Sequence, residues 1–401
     1  MFNIKNLNSI PHSDTLAINE ISKSRIASGE QIYRFGFGQS PFSPPHFLIE
    51  ELKNNACEHD YLEVQGLRTL RENVAKFHST KDLTINPHNV HIAPGSKMLL
   101  FSIIAAFKQA AVILPAPCWV SYMPQAKLLA KDCFFIQTTF DNRWRVNAKD
   151  LKNLLNEQNI DDQKQKILIL TSPGNPESLI YDKIYSLLTF NQNYNSIIEF
   201  YPEMTIVTNG LSKWCGAGGW RLGICYYSDL LKKDITKALN GIGSETFSSV
   251  AAPIQYAAIK AYQKTPEIND FIELEKKVLI QAANLTSQIL KNNSKIKFHN
   301  AQGGFYLFLD FSYYKEAALK NDINNIKDFC SKIFTQTGVA LLPSTAFGMS
   351  YSSFAARMAF VDFDGKKALK EQEEKGEVSK QTFLKLKEGC LKICNWLKQL
   401  V

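Results

Sequence analysis

A lysine and an arginine eight residues apart are the side chains in this 401-residue sequence with the clearest potential for chemistry. Lys213 and Arg221 lie in TNGLSKWCGAGGWRLG, where small residues follow a predicted buried strand. A lysine held in a crevice, partly desolvated and near other cations, is less stable as an ammonium and becomes a usable amine nucleophile. The planar guanidinium of Arg221 can bind a phosphate through paired hydrogen bonds. The pair therefore indicates an amine nucleophile beside an anion site.

A glycine-containing turn offers a second place for an anion. Gly95, Ser96 and Lys97 follow the predicted strand VHIA and begin a predicted helix. Backbone N–H groups at the start of a helix can hold a phosphate, and the helix dipole favours negative charge there. Alone, the turn is a weak signal, because most turns of this kind are ordinary strand-to-helix connections.

These turns belong to a regular alternation of strands and helices. Apolar runs typical of buried strands occur at 90–93, 111–114, 133–137, 166–171, 205–208 and 222–227, and helical spacing occurs at 46–57 and 66–78. Such alternation predicts a mainly parallel sheet with helices on both faces. Ligands of these sheets collect beyond the carboxyl ends of the strands. We therefore expect the turns PGSK, PAPCW, SPGNP and NGLSK to converge on one crevice.

The last third of the chain has a different pattern. Beyond residue 290, short predicted strands (KIKFHN, GGFYLFLDF, VALLP and RMAFVDF) are separated by amphipathic helices, which is typical of a smaller α+β domain. We predict an α/β protein with a large domain, residues 46–285, whose mainly parallel sheet is covered by helices. The smaller α+β domain would combine residues 1–45 with 286–401.

Composition argues against several classes of protein. The net charge of +8 is spread over segments in which lysines alternate with glutamates, so we expect no nucleic-acid partner. The most apolar stretch, 98–114, contains Lys108 and Gln109, and the first residues carry no apolar run of signal length. We therefore expect no membrane span and a cytoplasmic location. Eight scattered cysteines without a CxxC pair, and histidines without HExxH, predict reduced thiols and no metal site.

Several motifs occur together in a characteristic order: PGSK, PAPCW, SPGNP, DKIY, NGLSK and WRLG. In this order the chain resembles the class I/II aminotransferases, fold-type I enzymes that depend on pyridoxal phosphate. The resemblance extends from about residue 33 to 365 and is more specific than any single motif. It implies the fold-type I transferase fold, pyridoxal 5'-phosphate as cofactor, and ping-pong transfer of an amino group between an L-amino acid and a 2-oxo acid.

The resemblance also implies catalytic roles. Lys213 would be linked covalently to the cofactor aldehyde and would move the substrate's α-proton. Asp182 would stabilise the protonated pyridine nitrogen, and Tyr185 would reach the phenolic oxygen of the cofactor. Trp119 would stack on the pyridine ring, and Asn175 would donate to the same phenolic oxygen.

Binding of the phosphate and of the substrate follows from the same resemblance. The phosphate ligands would be Gly95, Ser96, Lys97, Ser212 and Arg221, with Tyr61 contributed by the second subunit of a homodimer. In the substrate site, Arg357 would grip the α-carboxylate, and Gly38 would allow close approach of the segment FGFGQSPFSPP. Trp119 and Asn175 would also contact the substrate.

The chain departs from the family between Asn175 and Asp182. Relatives place a helix and a buried strand between the asparagine turn and the aspartate motif, whereas SPGNPESLIY runs directly into Asp182. Seven residues cannot form a parallel crossover, which needs a dozen or more. Asp182 would therefore reach the ring by an irregular path, or the enzyme would be impaired.

Three functions remain open at this point. An aminotransferase is the main hypothesis. A pyridoxal-phosphate-dependent β-lyase, or another elimination enzyme, would use the same fold and cofactor. A catalytically impaired relative acting as a binding protein would explain the short connection. The sequence does not define the amino donor or the 2-oxo acid acceptor.

Overall fold

A computed structural model describes residues 13–171, 183–190 and 196–401. Within these ranges the helices are α1 (Asp14–Ala27), α2 (His46–Asn54), α3 (Arg68–His78), α4 (Ser96–Ala106), α5 (Tyr122–Leu128), α6 (Ala148–Glu157), α7 (Lys232–Thr246), α8 (Ala252–Ala261), α9 (Pro266–Asn293), α10 (Lys315–Lys320), α11 (Ile326–Thr337), α12 (Gly365–Lys375) and α13 (Leu384–Leu400). The strands are β1 (Val90–Ala93), β2 (Ala110–Ala116), β3 (Asp132–Gln137), β4 (Gln165–Leu168), β5 (Ile206–Gly210), β6 (Gly223–Tyr227), β7 (Tyr306–Asp310), β8 (Leu342–Pro343) and β9 (Ala355–Ala359).

The predicted strands of the first two thirds form two three-stranded groups. In one, β2 lies between β3 and β4 and is parallel to both. In the other, β6 lies between β1 and β5 and is antiparallel to both. The pairings of β2 with β3 and β4 follow the parallel arrangement expected from alternating strands and helices. The strands β1 and β5 also share one direction, so β6 is the strand that departs from this arrangement.

The antiparallel direction of β6 follows from the chain that precedes it. Gly210 at the end of β5 pairs with Gly223 at the start of β6, so the chain between them turns back beside β5. A parallel strand would require a crossover to the other end of the sheet. Lys213 and Arg221 both lie in this returning segment, which keeps them at the carboxyl end of β5.

The segment after the short connection lies along β5. The backbone N–H of Lys183 donates to the carbonyl of Thr208 in β5, at 2.8 Å. This contact is on the edge of β5 that faces away from β6, because Thr208 pairs with Cys225 on the other side. Asn175 and Asp182, the residues that flank the unusual connection, lie outside the described residues. Tyr185 lies inside them.

The third sheet is antiparallel, with β9 between β7 and β8. The predicted strand KIKFHN forms only a single bridge between Lys297 and Asp310 beside β7, so the prediction of a full strand was wrong there. Its side chains alternate between exposed and buried positions, as those of a strand do, but the chain pairs with β7 at one position only. Helix α9 runs without a break through the predicted domain boundary at residues 285 and 286, and the boundaries themselves stay predictions.

Helix α9 buries a carboxyl group in the core. Glu275 is fully buried, and within the described part of the chain neither of its carboxyl oxygens has a hydrogen-bond partner. Burial raises the pKa of the Glu275 carboxyl well above its usual range, because a buried site disfavours the charged form. A buried polar group without a partner costs stability, because unfolding would return it to water.

We expect Glu275→Leu to raise the free energy of unfolding at pH 7 by about 1–3 kcal/mol, the usual cost of a buried unsatisfied polar group. A raised folded-state pKa favours folding at low pH and is a disadvantage at higher pH. The gain should therefore shrink as the pH falls towards about 4, where the carboxyl of the unfolded chain also becomes protonated. Urea unfolding at several pH values measures both effects.

The matched control is Glu273→Leu in the same helix. The side chain of Glu273 is 58% exposed and pairs with Lys276, so this change should alter stability by less than about 0.5 kcal/mol. A clear loss of stability in Glu275→Leu alone would mean that the Glu275 carboxyl has a stabilising partner.

Candidate active site

A cavity of about 630 Å³ opens beside the end of β5. Its lining includes these predicted site residues: Gly38, Ser96, Lys97, Trp119, Tyr185, Ser212, Lys213, Arg221 and Arg357. Gly95 adjoins the cavity through its contact with Arg221. Tyr61 does not contribute to the lining within this chain and is 92% exposed. The predicted turns PGSK, PAPCW and NGLSK therefore do converge, whereas SPGNP lies outside the described residues.

Lys213 lies at the centre of this arrangement and is half-buried. Its Nζ donates to the carbonyl oxygen of Gly38 at 2.8 Å. The same atom lies 5.6 Å from the ring centroid of Tyr185 and 5.7 Å from that of Phe305. The amine is thus held by a backbone carbonyl and lies near two aromatic rings at the carboxyl end of β5.

An anion pocket forms where the start of α4 meets Arg221. The guanidinium of Arg221 donates to the carbonyls of Gly218 and Pro94, at 2.9 and 3.3 Å. Gly95, with φ of +85°, precedes the helix, and a Cβ there would lie 2.1 Å from Arg221 Nη2. Glycine is therefore required for the cation to approach the helix start, where N–H groups point outward.

Lys97 adds a further positive charge. Its Nζ lies 5.1 Å from the ring centroid of Trp119. Burial lowers the pKa of the Lys97 ammonium, and the nearby charges of Arg221 and Lys213 lower it further. Among the described residues the cavity is lined by four cationic side chains and no carboxylate, so it suits ligands with more than one negative charge.

Arg357 supplies the fourth cation from the middle strand of the third sheet. It is 1% exposed, and its Nη2 donates to the carbonyl of Gly36 at 3.0 Å. The guanidinium lies between two rings, 4.4 Å from the centroid of Tyr306 and 4.9 Å from that of Phe347. An arginine fixed in this way presents a planar donor group to a carboxylate.

Sequence reasoning missed several residues that line the cavity, among them Tyr306. The hydroxyl of Tyr306 lies 2.9 Å from that of Tyr185 and 3.4 Å from the carbonyl oxygen of Gly38, and it can donate to either. Only the alternation in GGFYLFLDF could have indicated that its side chain faces Arg357. Ser13, Thr15 and Leu16 also line the cavity from the start of α1, and no pattern in the polar N-terminal segment signals this.

The described residues contain no cluster of three or more His, Cys, Asp or Glu side chains that could hold a metal ion. The eight cysteines are unbridged. In the same ranges, no helix combines the length and apolar character needed to cross a membrane.

The fold matches solved aminotransferase structures over almost the whole chain. The aspartate aminotransferase from Rhizobium meliloti superposes with a TM-score of 0.83 at 19% identity, covering 99% of each chain. At this identity the similarity establishes the fold alone. The family model described as "Aminotransferase class I and II" matches residues 30–181 and 178–362, and the chain belongs to this family. The two matches meet at the short connection before Asp182.

Curated relatives agree with the family. The aspartate aminotransferase of Geobacillus stearothermophilus is 29% identical over 374 residues, which cover 86% of this chain and 91% of the relative. The asparagine–oxo-acid transaminase of Streptococcus mutans is 25% identical over 367 residues, covering 84% and 89%. The predicted fold class and the predicted reaction class, amino-group transfer, are confirmed. None of these matches favours the lyase or the binding-protein alternative.

The tight contact at Gly38 yields a prediction. A Cβ at this position would lie 1.8 Å from the Tyr306 hydroxyl, so Gly38→Ala should displace the ring and the carbonyl that holds Lys213. A shift of about 1 Å at reacting groups can cost about 100-fold, and we expect kcat/KM for amino-group transfer to fall by about that factor.

Gly241→Ala is the matched control, because Gly241 is an exposed residue of α7 outside the cavity lining and a Cβ there meets no atom within 4 Å. Its activity should stay near that of the wild type. Wild-type activity in Gly38→Ala would show that the segment around Gly38 relaxes without disturbing Lys213.

Proposed function

We propose that this protein is a pyridoxal-phosphate-dependent aminotransferase with its active site in the cavity around Lys213. The observation that carries the proposal is that one cavity is lined by an amine and by two separate candidate anion sites. The amine is that of Lys213, and the anion sites are the pocket of Ser96 and Arg221 and the guanidinium of Arg357. An enzyme that holds a phosphorylated aldehyde and an amino acid together needs this arrangement.

The described residues fit the cofactor. Gly95 lets Arg221 approach the start of α4, and together they offer the donors and charge that a phosphate requires. Five residues would hold the phosphate: Gly95, Ser96, Lys97, Ser212 and Arg221. Trp119 would pack against the ring, and Tyr185 would reach its phenolic oxygen. By family resemblance, Asn175 and Asp182 would complete the ring contacts.

The bound cofactor would supply an electron-withdrawing ring that stabilises negative charge at the substrate's α-carbon. The protein would supply position and proton transfer. Arg357 would bind the α-carboxylate through its two parallel N–H groups, which orients the α-carbon towards the amine. Lys213 Nζ would then remove the α-proton and return one, acting as general base and acid. Its contact with the Gly38 carbonyl holds the amine in the lining of the cavity.

We further propose a dicarboxylic amino acid, such as aspartate, as donor. Two observations support it: several relatives carry the name aspartate aminotransferase, and the described lining of the cavity carries four cationic side chains and no carboxylate. The transaminase from Streptococcus mutans is named for asparagine, so the amide is the closest competitor. A homodimer with Tyr61 at the partner's phosphate, in the cytoplasm, completes the proposal; the 92% exposure of Tyr61 suits an interface position.

Lys213→Ala tests the cofactor assignment directly. The wild type, reconstituted with pyridoxal phosphate, should show a visible absorption band that the variant lacks, because the band requires the covalent link to the amine. Transaminase activity should fall by at least about 1,000-fold. Lys127→Ala, at an exposed lysine of α5, is the control and should retain both properties. A colourless wild type would contradict the proposal.

Arg357→Lys tests carboxylate binding. The change keeps the charge but removes the planar pair of donors, so KM for the amino acid should rise by about 10–100-fold. The visible band should remain, since Arg357 does not hold the cofactor. An unchanged KM would show that another group binds the α-carboxylate.

Donor specificity is measured by kcat/KM with 2-oxoglutarate as acceptor. If a cation of the cavity binds the distal carboxylate, aspartate should exceed asparagine by about 10-fold or more, because the amide would leave that buried charge unpaired. Equal values for the acid and the amide would overturn the dicarboxylate assignment and leave the aminotransferase assignment intact.

A further inference from the structure

Tyr306 contacts Arg357 through its ring. In the pairing of β7 with β9, Arg357 lies opposite Phe308, and Tyr306 is two residues before Phe308 on the same face of the sheet. The ring is almost completely buried, and its centroid lies 4.4 Å from the guanidinium carbon. Stacking of a guanidinium on an aromatic face restricts the plane in which its donors point.

The hydroxyl of Tyr306 contacts a different group. It lies 2.9 Å from the hydroxyl of Tyr185 and 3.4 Å from the Gly38 carbonyl. A phenol carries one proton, so Tyr306 donates to one of these acceptors at a time, and the shorter contact is the stronger one. When Tyr306 donates to the Tyr185 oxygen, the proton of Tyr185 can point into the cavity.

The absence of a side chain at Gly38 leaves room for this hydroxyl. A Cβ at Gly38 would lie 1.8 Å from the Tyr306 oxygen, so the contact requires glycine at that position. The same Gly38 carbonyl accepts from Lys213 Nζ at 2.8 Å. Tyr306 therefore contacts, directly or through Gly38, each of three groups assigned to the reaction: Tyr185, Lys213 and Arg357.

We propose that Tyr306 is a positioning residue with two separable roles: its ring orients the Arg357 guanidinium towards the substrate carboxylate, and its hydroxyl orients the Tyr185 phenol as a donor into the cavity. The proposal rests on the proposed function, because the targets of both groups are the substrate and cofactor assigned there. It predicts that removal of the hydroxyl and removal of the ring have different consequences.

The ring is tested by binding of succinate, a dicarboxylate without an amino group, measured by calorimetry. Tyr306→Phe keeps the ring and should bind succinate within about 2-fold of the wild type. Tyr306→Leu should bind at least about 10-fold more weakly, because the guanidinium loses one of its two stacking partners. Equal affinity of Tyr306→Leu and wild type, or equal weakening in both variants, would overturn the role of the ring.

The hydroxyl is tested by the pH dependence of the visible absorption band of the cofactor-loaded protein. Loss of a donor to the cofactor's phenolic oxygen would leave more negative charge on that oxygen. The charge would raise the pKa of the proton on the nitrogen that links Lys213 to the cofactor. Tyr185→Phe should therefore move the titration midpoint to higher pH, and Tyr306→Phe should move it in the same direction by less. A merely structural role for Tyr306 would leave the midpoint unchanged.

The double variant Tyr185→Phe/Tyr306→Phe decides whether Tyr306 acts through Tyr185. Its midpoint should equal that of Tyr185→Phe alone, because the Tyr306 hydroxyl then has no phenol to orient. Additive shifts, or no shift in Tyr306→Phe, would overturn the role of the hydroxyl while the wild-type band still supports the proposed function. A wild type without any visible band would remove both the proposed function and this role.

Discussion

The return of the chain from β5 to β6 is the constraint on which the site depends. Because Gly210 pairs with Gly223, the residues between them must turn back at one end of the sheet. Arg221 closes the turn in a left-handed conformation, with φ of 56°, and its guanidinium is fixed by carbonyls on both sides of the pocket. The amine of Lys213 and the anion pocket are therefore positioned by the same few backbone hydrogen bonds.

Among the described residues, the charged side chains that line the cavity are all cationic. Lys97, Lys213, Arg221 and Arg357 all line it, and the depressed pKa of Lys97 reflects burial together with repulsion from two of these neighbours. Such clustering costs stability in the protein alone, and anionic ligands relieve it. A phosphate and one or two carboxylates are the groups that would neutralise these side chains, in agreement with the reaction of the family.

Sequence patterns could predict the strands, the turns after them and the residue types at each turn, because burial and glycine content are local signals. They could not predict that β6 is antiparallel, since an apolar run carries no direction. Tyr306 was missed for a related reason: its relation to Arg357 is set by the register between β7 and β9, which is a tertiary property. The KIKFHN segment shows the converse, where a strand-like pattern forms only one bridge.

Arg357 and Lys213 belong to different sheets: the arginine is in the middle of the third sheet, and the lysine follows β5. A substrate held by both would span the two sheets in the manner of a reversible cross-link. Its binding free energy would then stabilise the contact between the two sheets. Saturating concentrations of the substrate should therefore slow proteolysis and raise the melting temperature more than a ligand that contacts only one of the sheets.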